Sequence, residues 1–284
     1  MAVKSERIRY GDQLGYLALP EHAATPLPAV VVIHDLLGLS HHVEDVTRRI
    51  AAAGYAALAP DLFAVGGVRP ASLTQERVDE AMTFLARLSP AARSDRSVRE
   101  AELAKLPEPE RVRIDETMGQ LFAFALPGRL ESSVVTLRNA VRYLRCERPE
   151  TLGQGVACMG EELSILLACA APELSGAAVF YATPPSAARL AEIHCPVVAF
   201  YGAKDVGATA GIAGFAEAMR KASKSFEHHV YQGAGRGFFY DTKPNYYDIG
   251  ASRDAFARLL TFLLKTLTDY DVGTRQVGMA AKIG

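Results

Sequence analysis

The stretch Val156-Ala157-Cys158-Met159-Gly160-Glu161-Glu162-Leu163-Ser164 decides the reading of this chain. A short apolar run reaches a glycine and then opens into an apolar helical segment, Leu163 to Ala171. A strand that turns sharply into a helix is where α/β enzymes expose a nucleophile, because the turn lifts one side chain clear of the sheet and aims the helix N-terminus at it. The spacing nominates Cys158, with Gly160 two residues later as the small residue such a turn needs. Val156, two residues before, is not small. A thiol at a helix N-terminus has a lowered pKa, and the thiolate is its reactive form. The competing reading is a buried, inert cysteine, since free thiols pack well in cores.

Working outward, strand-like and helix-like segments alternate. Arg7 to Tyr10 and Leu14 to Leu19 read as an antiparallel start, and Ala29 to His34 as a buried strand. His41 to Ala53 has helical periodicity through Val43, Val46 and Ile50, and Gly54 ends it. Tyr55 to Leu58 is a further strand. Ser132 to Leu144 reads as a helix, Gly155 to Cys158 as a strand, Glu162 to Ala171 as a helix, and Ala177 to Tyr181 and Val197 to Tyr201 as strands. A helix at about 211–223, a strand from Phe226 to Tyr231 and a last helix from Asp254 to Leu267 complete the series. This alternation predicts an α/β fold with a doubly wound, mostly parallel sheet in a single domain over residues 1–270. Residues 64–126, rich in charge clusters and without clear strands, read as a helical insertion over the strand C-terminal ends, and 271–284 as a loose tail.

Two later segments fit a catalytic set. Val197 to Tyr201, then Gly202-Ala203-Lys204-Asp205, is a strand and turn closing on a carboxylate, which suits an acid that follows the nucleophile in the chain. Tyr231-Gln232-Gly233-Ala234-Gly235-Arg236-Gly237-Phe238 lies where a general-base histidine is expected, yet no histidine follows His229 and Arg236 stands in the loop. His34, at the end of an early strand, reads either as a structural hydrogen-bonder or as an alternative base. The 284 residues are 49% hydrophobic, 22% charged and carry a net charge of −1, so charge gives no case for nucleic-acid or membrane partners. The four cysteines lack CxxC spacing and the seven histidines lack ligand spacing, so no metal and no cofactor is expected, and reduced thiols favour the cytoplasm. A small-molecule ligand and a monomer or homodimer complete the expectation.

Together, Val30 to Gly38, Ala53 to Phe63, Cys158 to Gly160, Pro196 to Asp205 and Tyr231 to Phe238 resemble the dienelactone hydrolase family. The resemblance implies an α/β-hydrolase fold and cleavage of small lactones or esters by a Cys, His, Asp triad. On it, Cys158 matches the nucleophile and Asp205 the acid. Asp35 stands where the family has a Glu beside the resting thiol. Asp35, Leu36, Met159 and Arg236 face the substrate, the amide after Cys158 and the loop after the early strand supplying oxyanion donors. The chain departs from the pattern at Val156, at Glu161 in place of a second glycine, and at Arg236 in place of the histidine. A guanidinium stays charged and cannot serve as a general base. Arg236 then either forks onto Asp205 with Glu161 as a further partner, or binds an acidic ligand or a Cys158 thiolate. Hydrolysis is expected to be impaired or altered, with Arg236→His raising it. The alternative is a non-hydrolytic member, a binding or partner subunit or a biosynthetic cyclase or isomerase.

Overall fold

A computed structural model describes residues 1–89, 92, 95–183 and 187–267. The long apolar runs become β3 (Ala29–Val32), β4 (Ala56–Pro60), β5 (Val156–Gly160), β6 (Gly176–Phe180) and β7 (Val197–Gly202), nearly every residue of which is buried. Strands covered on both faces have no solvent side to alternate toward, which is why they read as continuous apolar stretches. β1 (Val3–Tyr10), β2 (Gln13–Pro20) and β8 (Phe226–Tyr231) complete an eight-stranded sheet of order β1-β2-β4-β3-β5-β6-β7-β8. The β1–β2 and β2–β4 pairs are antiparallel, and every pair from β4 through β8 is parallel.

The sheet carries α1 (His41–Ala52) and the long C-terminal helix, Ile249–Leu267, on one face. α5 (Pro127–Cys146) and α6 (Glu162–Ala170) lie on the other. α6 is apolar around its whole circumference and is sandwiched between the sheet and α5. From β3 the chain moves outward to β4, and from β5 it moves the other way to β6. The loops after β3 and β5 therefore diverge and leave a crevice at the strand C-terminal ends, the place where open α/β sheets bind ligands.

Between β4 and α5 the chain builds α2 (Gln75–Arg87), α3 (Arg96–Leu103) and α4 (Glu108–Phe124). Arg77 with Glu116 (2.9 Å) and Arg113 with Glu80 (2.7 Å) tie α2 to α4. The end of α4 seats Phe124 on Phe63, with centroids 5.1 Å apart, and beside His34, at 6.1 Å. This places the insertion at the C-terminal end of β3, over the crevice. The tail expected at 271–284 lies outside the described residues.

Candidate active site at the strand–helix turn

β5 ends two residues later than the sequence pattern suggests, and that shift moves the site. Val31 and Ala177 flank Cys158 in the parallel register, so the cysteine lies within the strand, not on the turn. Its side chain is fully buried on the α5/α6 face, with Sγ directed at the Ser164 carbonyl at 3.6 Å. Burial pushes the thiol far above its ordinary value, with Cys195 adding to the effect. The expected placement of Cys158 on the turn is corrected: it is a strand residue that no solvent reaches. The turn residue is Glu161, the residue immediately before α6. The preceding Gly160 is required by close packing, since a Cβ there would lie 2.8 Å from both Cβ and the carbonyl oxygen of Ile33.

Arg236 reaches Glu161 from the loop after β8. Its Nη2 donates to Glu161 Oε2 at 2.5 Å, and its Nη1 donates to Asp205 Oδ2 at 3.5 Å and to the Tyr181 carbonyl at 3.0 Å. The loop is fastened to the end of β7 by Ala203 N–H to the Tyr231 carbonyl and Lys204 N–H to the Ala234 carbonyl, both at 2.9 Å. Gly202 lets the two backbones meet, because a Cβ there would lie 2.5 Å from the Gly235 carbonyl oxygen. Tyr181 adopts φ +57°, a left-handed conformation that costs a bulky residue of order 1–3 kcal/mol. Its carbonyl accepts from Arg236 and its hydroxyl accepts from the Phe239 amide at 2.9 Å. A strained residue thus joins β6 to the Arg236 loop.

Two carboxylates hold this guanidinium, and a third, Asp35, acts on Glu161. Burial, then the charge of Asp35, pushes Glu161 up to about 7, with Arg236 opposing and Asp205 adding. Burial opposes the charge on Arg236, but Glu161 and Asp205 outweigh it and hold the guanidinium above its ordinary value. Asp35 accepts from the Leu37 amide at 2.8 Å and from the Tyr240 hydroxyl. His34 is spoken for: its Nδ1 lies 2.8 Å from the Asp35 carbonyl and its Nε2 accepts from the Leu62 amide at 3.0 Å. These partners fix a neutral tautomer, and burial lowers its pKa, so His34 is a structural hydrogen-bonder.

The crevice above Glu161 is a cavity of about 160 Å³, with Asp35, Leu36, Glu161 and Arg236 on one side and Phe124 and Leu130 on the other. Met159 points to the opposite face from Cys158, into a void of about 50 Å³ behind Glu161 that Asp35, His42 and Tyr240 also line. The structure therefore gathers Asp35, Leu36, Asp205 and Arg236 around one turn and leaves Cys158 out. Tyr181 and Tyr240 were not singled out by the sequence pattern as members of the site, and Glu161 entered only as a partner for Arg236, not as the turn residue. One signal was present for Glu161: the apolar run continues through Met159, and polarity switches only at Glu161-Glu162. Among the described residues no group of His, Cys, Asp and Glu is arranged to hold a metal ion, and no helix is long and apolar enough to cross a membrane.

The same arrangement of the sheet is found in known proteins. The profile of the dienelactone hydrolase family matches residues 14–267. A protein of Saccharolobus solfataricus, provisionally described as a carboxymethylenebutenolidase, is 28% identical over 249 residues, 87% of this chain and 92% of that protein. A crystal structure from Klebsiella pneumoniae, provisionally described as a dienelactone hydrolase, superposes with a TM-score of 0.61 at 19% identity, covering 93% of this chain and 100% of the other. A dienelactone-hydrolase-like promiscuous phosphotriesterase from metagenomic libraries gives 0.63 at 18% identity, covering 94% and 100%. At these identities the structures speak for the fold, an α/β-hydrolase sheet, while the profile spans nearly all of the chain. With turn, acid loop and Arg236 loop in place on that fold, the chain belongs to the dienelactone hydrolase family.

Proposed function

We propose that this protein is a dienelactone-hydrolase-family member that does not cleave small esters or lactones through a cysteine at the strand–helix turn. In place of nucleophile, base and acid, the turn holds one ion-paired network, Glu161–Arg236–Asp205, facing a small cavity. The observation that carries this reading is the bond from Arg236 to Glu161, with Cys158 buried in the strand behind it. An acyl-enzyme mechanism needs a nucleophile within reach of a group that can take and return its proton. Here the residue in the nucleophile's place is a carboxylate held by a cation, and the residue in the base's place keeps its proton at any working pH.

The network favours a neutral or positively charged small-molecule ligand over an acidic one. Arg236 already serves Glu161 and Asp205, and Asp35 adds a further negative charge to the wall of the same cavity. The role is then binding, or proton exchange through Glu161, rather than thiol-dependent hydrolysis. The test is turnover of an activated aryl ester by wild type, by Cys158→Ala and by wild type treated with iodoacetamide. Equal rates in all three are expected. A rate that falls to background with Cys158→Ala, in a protein that still folds, removes the proposal.

A further inference from the structure

A cleft larger than the cavity over Glu161 lies elsewhere in the described structure. It holds about 610 Å³ and runs between α2 and the loop that follows Tyr240, a volume typical of sites that take small molecules. At its inner end, where α1 begins, lies His42. The Nδ1 of His42 is 3.1 Å from Asp241 Oδ1, and the imidazole stacks on Tyr240 with centroids 4.2 Å apart. A carboxylate on Nδ1 fixes the tautomer in which Nε2 carries the lone pair, the arrangement by which an aspartate orients a general base. Asp241 is in turn held by Arg49, further along α1, so the carboxylate stays ionised and positioned. The same His42 lines both the cleft and the 50 Å³ void behind Glu161.

Two polar atoms at this cleft have no partner. Ser40 stands at the N-cap of α1, yet its hydroxyl does not cap the helix, and its Oγ is buried without a hydrogen bond. Gln75 Oε1, from α2, is likewise buried and unpaired. Buried polar groups are almost always paired, so two orphans lining one cleft mark places where a ligand or water belongs. Lys243, whose ammonium lies 5.7 Å from the Tyr240 ring centroid, and the amides of the first turn of α1 supply positive potential on the same wall.

We propose that this cleft is a reaction site in which the Asp241–His42 pair acts as general base in the hydrolysis of a small carboxylic ester or lactone. His42 Nε2 takes a proton from a water. The resulting hydroxide oxygen bonds to the ester carbonyl carbon, and the oxyanion faces Lys243 and the N-terminus of α1. As the carbon–oxygen bond to the leaving group breaks, the proton passes from Nε2 to the leaving alkoxide, giving acid and alcohol. The substrate's apolar body rests on Met82, Leu85 and Tyr246. The groups that set the state of His42 are Asp241 and Arg49 beside it, Tyr240 stacked on it, Asp35 and Glu161 across the void, and Asp79, His41 and Lys243 across the cleft. Burial lowers the imidazole pKa and Asp241 works against that, which leaves a neutral base at neutral pH.

The experiment measures kcat/KM for p-nitrophenyl acetate and δ-valerolactone against pH, with the full chain, for wild type, His42→Gln, Asp241→Asn, Thr83→Trp and Cys158→Ala. Wild type should turn over without a burst of product, because no acyl-enzyme forms. A single ascending limb should have its midpoint below the ordinary histidine value of about 6.5. His42→Gln should lose at least about 100-fold, the lower end of what a general base supplies. Asp241→Asn should lose activity and move the midpoint lower still, a shift that a merely structural role would not produce. Thr83→Trp fills the cleft from its exposed wall without touching the core, so it should raise KM at unchanged folding even where His42→Gln folds poorly. Cys158→Ala should match wild type. No turnover above buffer by wild type, or full activity in His42→Gln or Thr83→Trp, overturns the inference; loss in Cys158→Ala instead overturns the reading of the turn.

Discussion

Replacing Glu161 with glutamine tests the charge crowding at the turn directly. In the folded protein the carboxyl is pushed up to about 7, from an ordinary value of 4.5, so folding disfavours its ionised form. The sign follows from linkage. A raised carboxylate pKa leaves stability full below about 4.5, loses it as pH climbs to about 7, and leaves it level above that. At about 1.4 kcal/mol per pH unit the span corresponds to about 3 kcal/mol. The side chain is 23% exposed, and solvent screening brings the expectation to about 2–3 kcal/mol. The glutamine amide copies the neutral carboxyl, so Glu161→Gln should match wild type at pH 4 and exceed it at pH 8 by that amount. At about 2–4 °C per kcal/mol for a domain of this size, the gain in Tm is roughly 4–12 °C. Thermal or urea unfolding of both proteins at half-unit steps from pH 4 to 8 isolates the effect, because every other titrating group is common to the pair. Parallel curves, or a variant less stable than wild type at pH 8, would mean that the Arg236 bond outweighs Asp35 and Asp205, and the crowding argument would fail.

The remaining predictions concern the same turn. Arg236→His alone should leave aryl-ester turnover unchanged, contrary to the expectation from sequence, because no nucleophile stands beside position 236. Glu161→Cys with Arg236→His should bring thiol, imidazole and Asp205 together and give turnover at least about 100-fold above Glu161→Cys alone, abolished by iodoacetamide. In thiol titration with a disulfide reagent, exposed Cys146 should react first and Cys158 only on unfolding, which peptide mapping would read. Gly202→Ala should cost about 1–3 kcal/mol by forcing the backbones of β7 and the Arg236 loop apart, and should release Arg236 from Asp205; a denaturation curve superposable on wild type would contradict this.

The sheet was legible because its signal is carried by many residues at once. Buried parallel strands write themselves as Val- and Ala-rich runs, and one misplaced boundary does not disturb the alternation of strand and helix. The Arg236 contacts were legible for a similar reason: the loop from Tyr231 to Phe238 and the turn at Gly202 are short, and together they leave the side chain few places to go. The turn itself depends on a single boundary. Cys158 has a glycine two residues later and the chemistry of a nucleophile, so residue type suggested the function while strand length decided the position. The register of Val32 opposite Met159 extends the strand to Gly160, and pairing across the sheet is a long-range property that no local pattern contains.

The same limit explains why His42 read as an ordinary histidine beside another. Its partner Asp241 lies on the far side of the chain, and only the fold brings the end of the Arg236 loop onto the first turn of α1. In sequence the nearest acidic neighbours of His42 are Glu44 and Asp45, and neither is the one that holds its ring. Two acid–base arrangements therefore sit on opposite sides of Tyr240. At the turn, carboxylates crowd around a single guanidinium; in the cleft, an imidazole held by a carboxylate lines the open volume. Tyr240, with its hydroxyl on Asp35 and its ring on His42, is the wall between them. The chain closes the turn at the end of β5 with charge, while the neighbouring cleft brings together the groups that the proposed proton transfer requires.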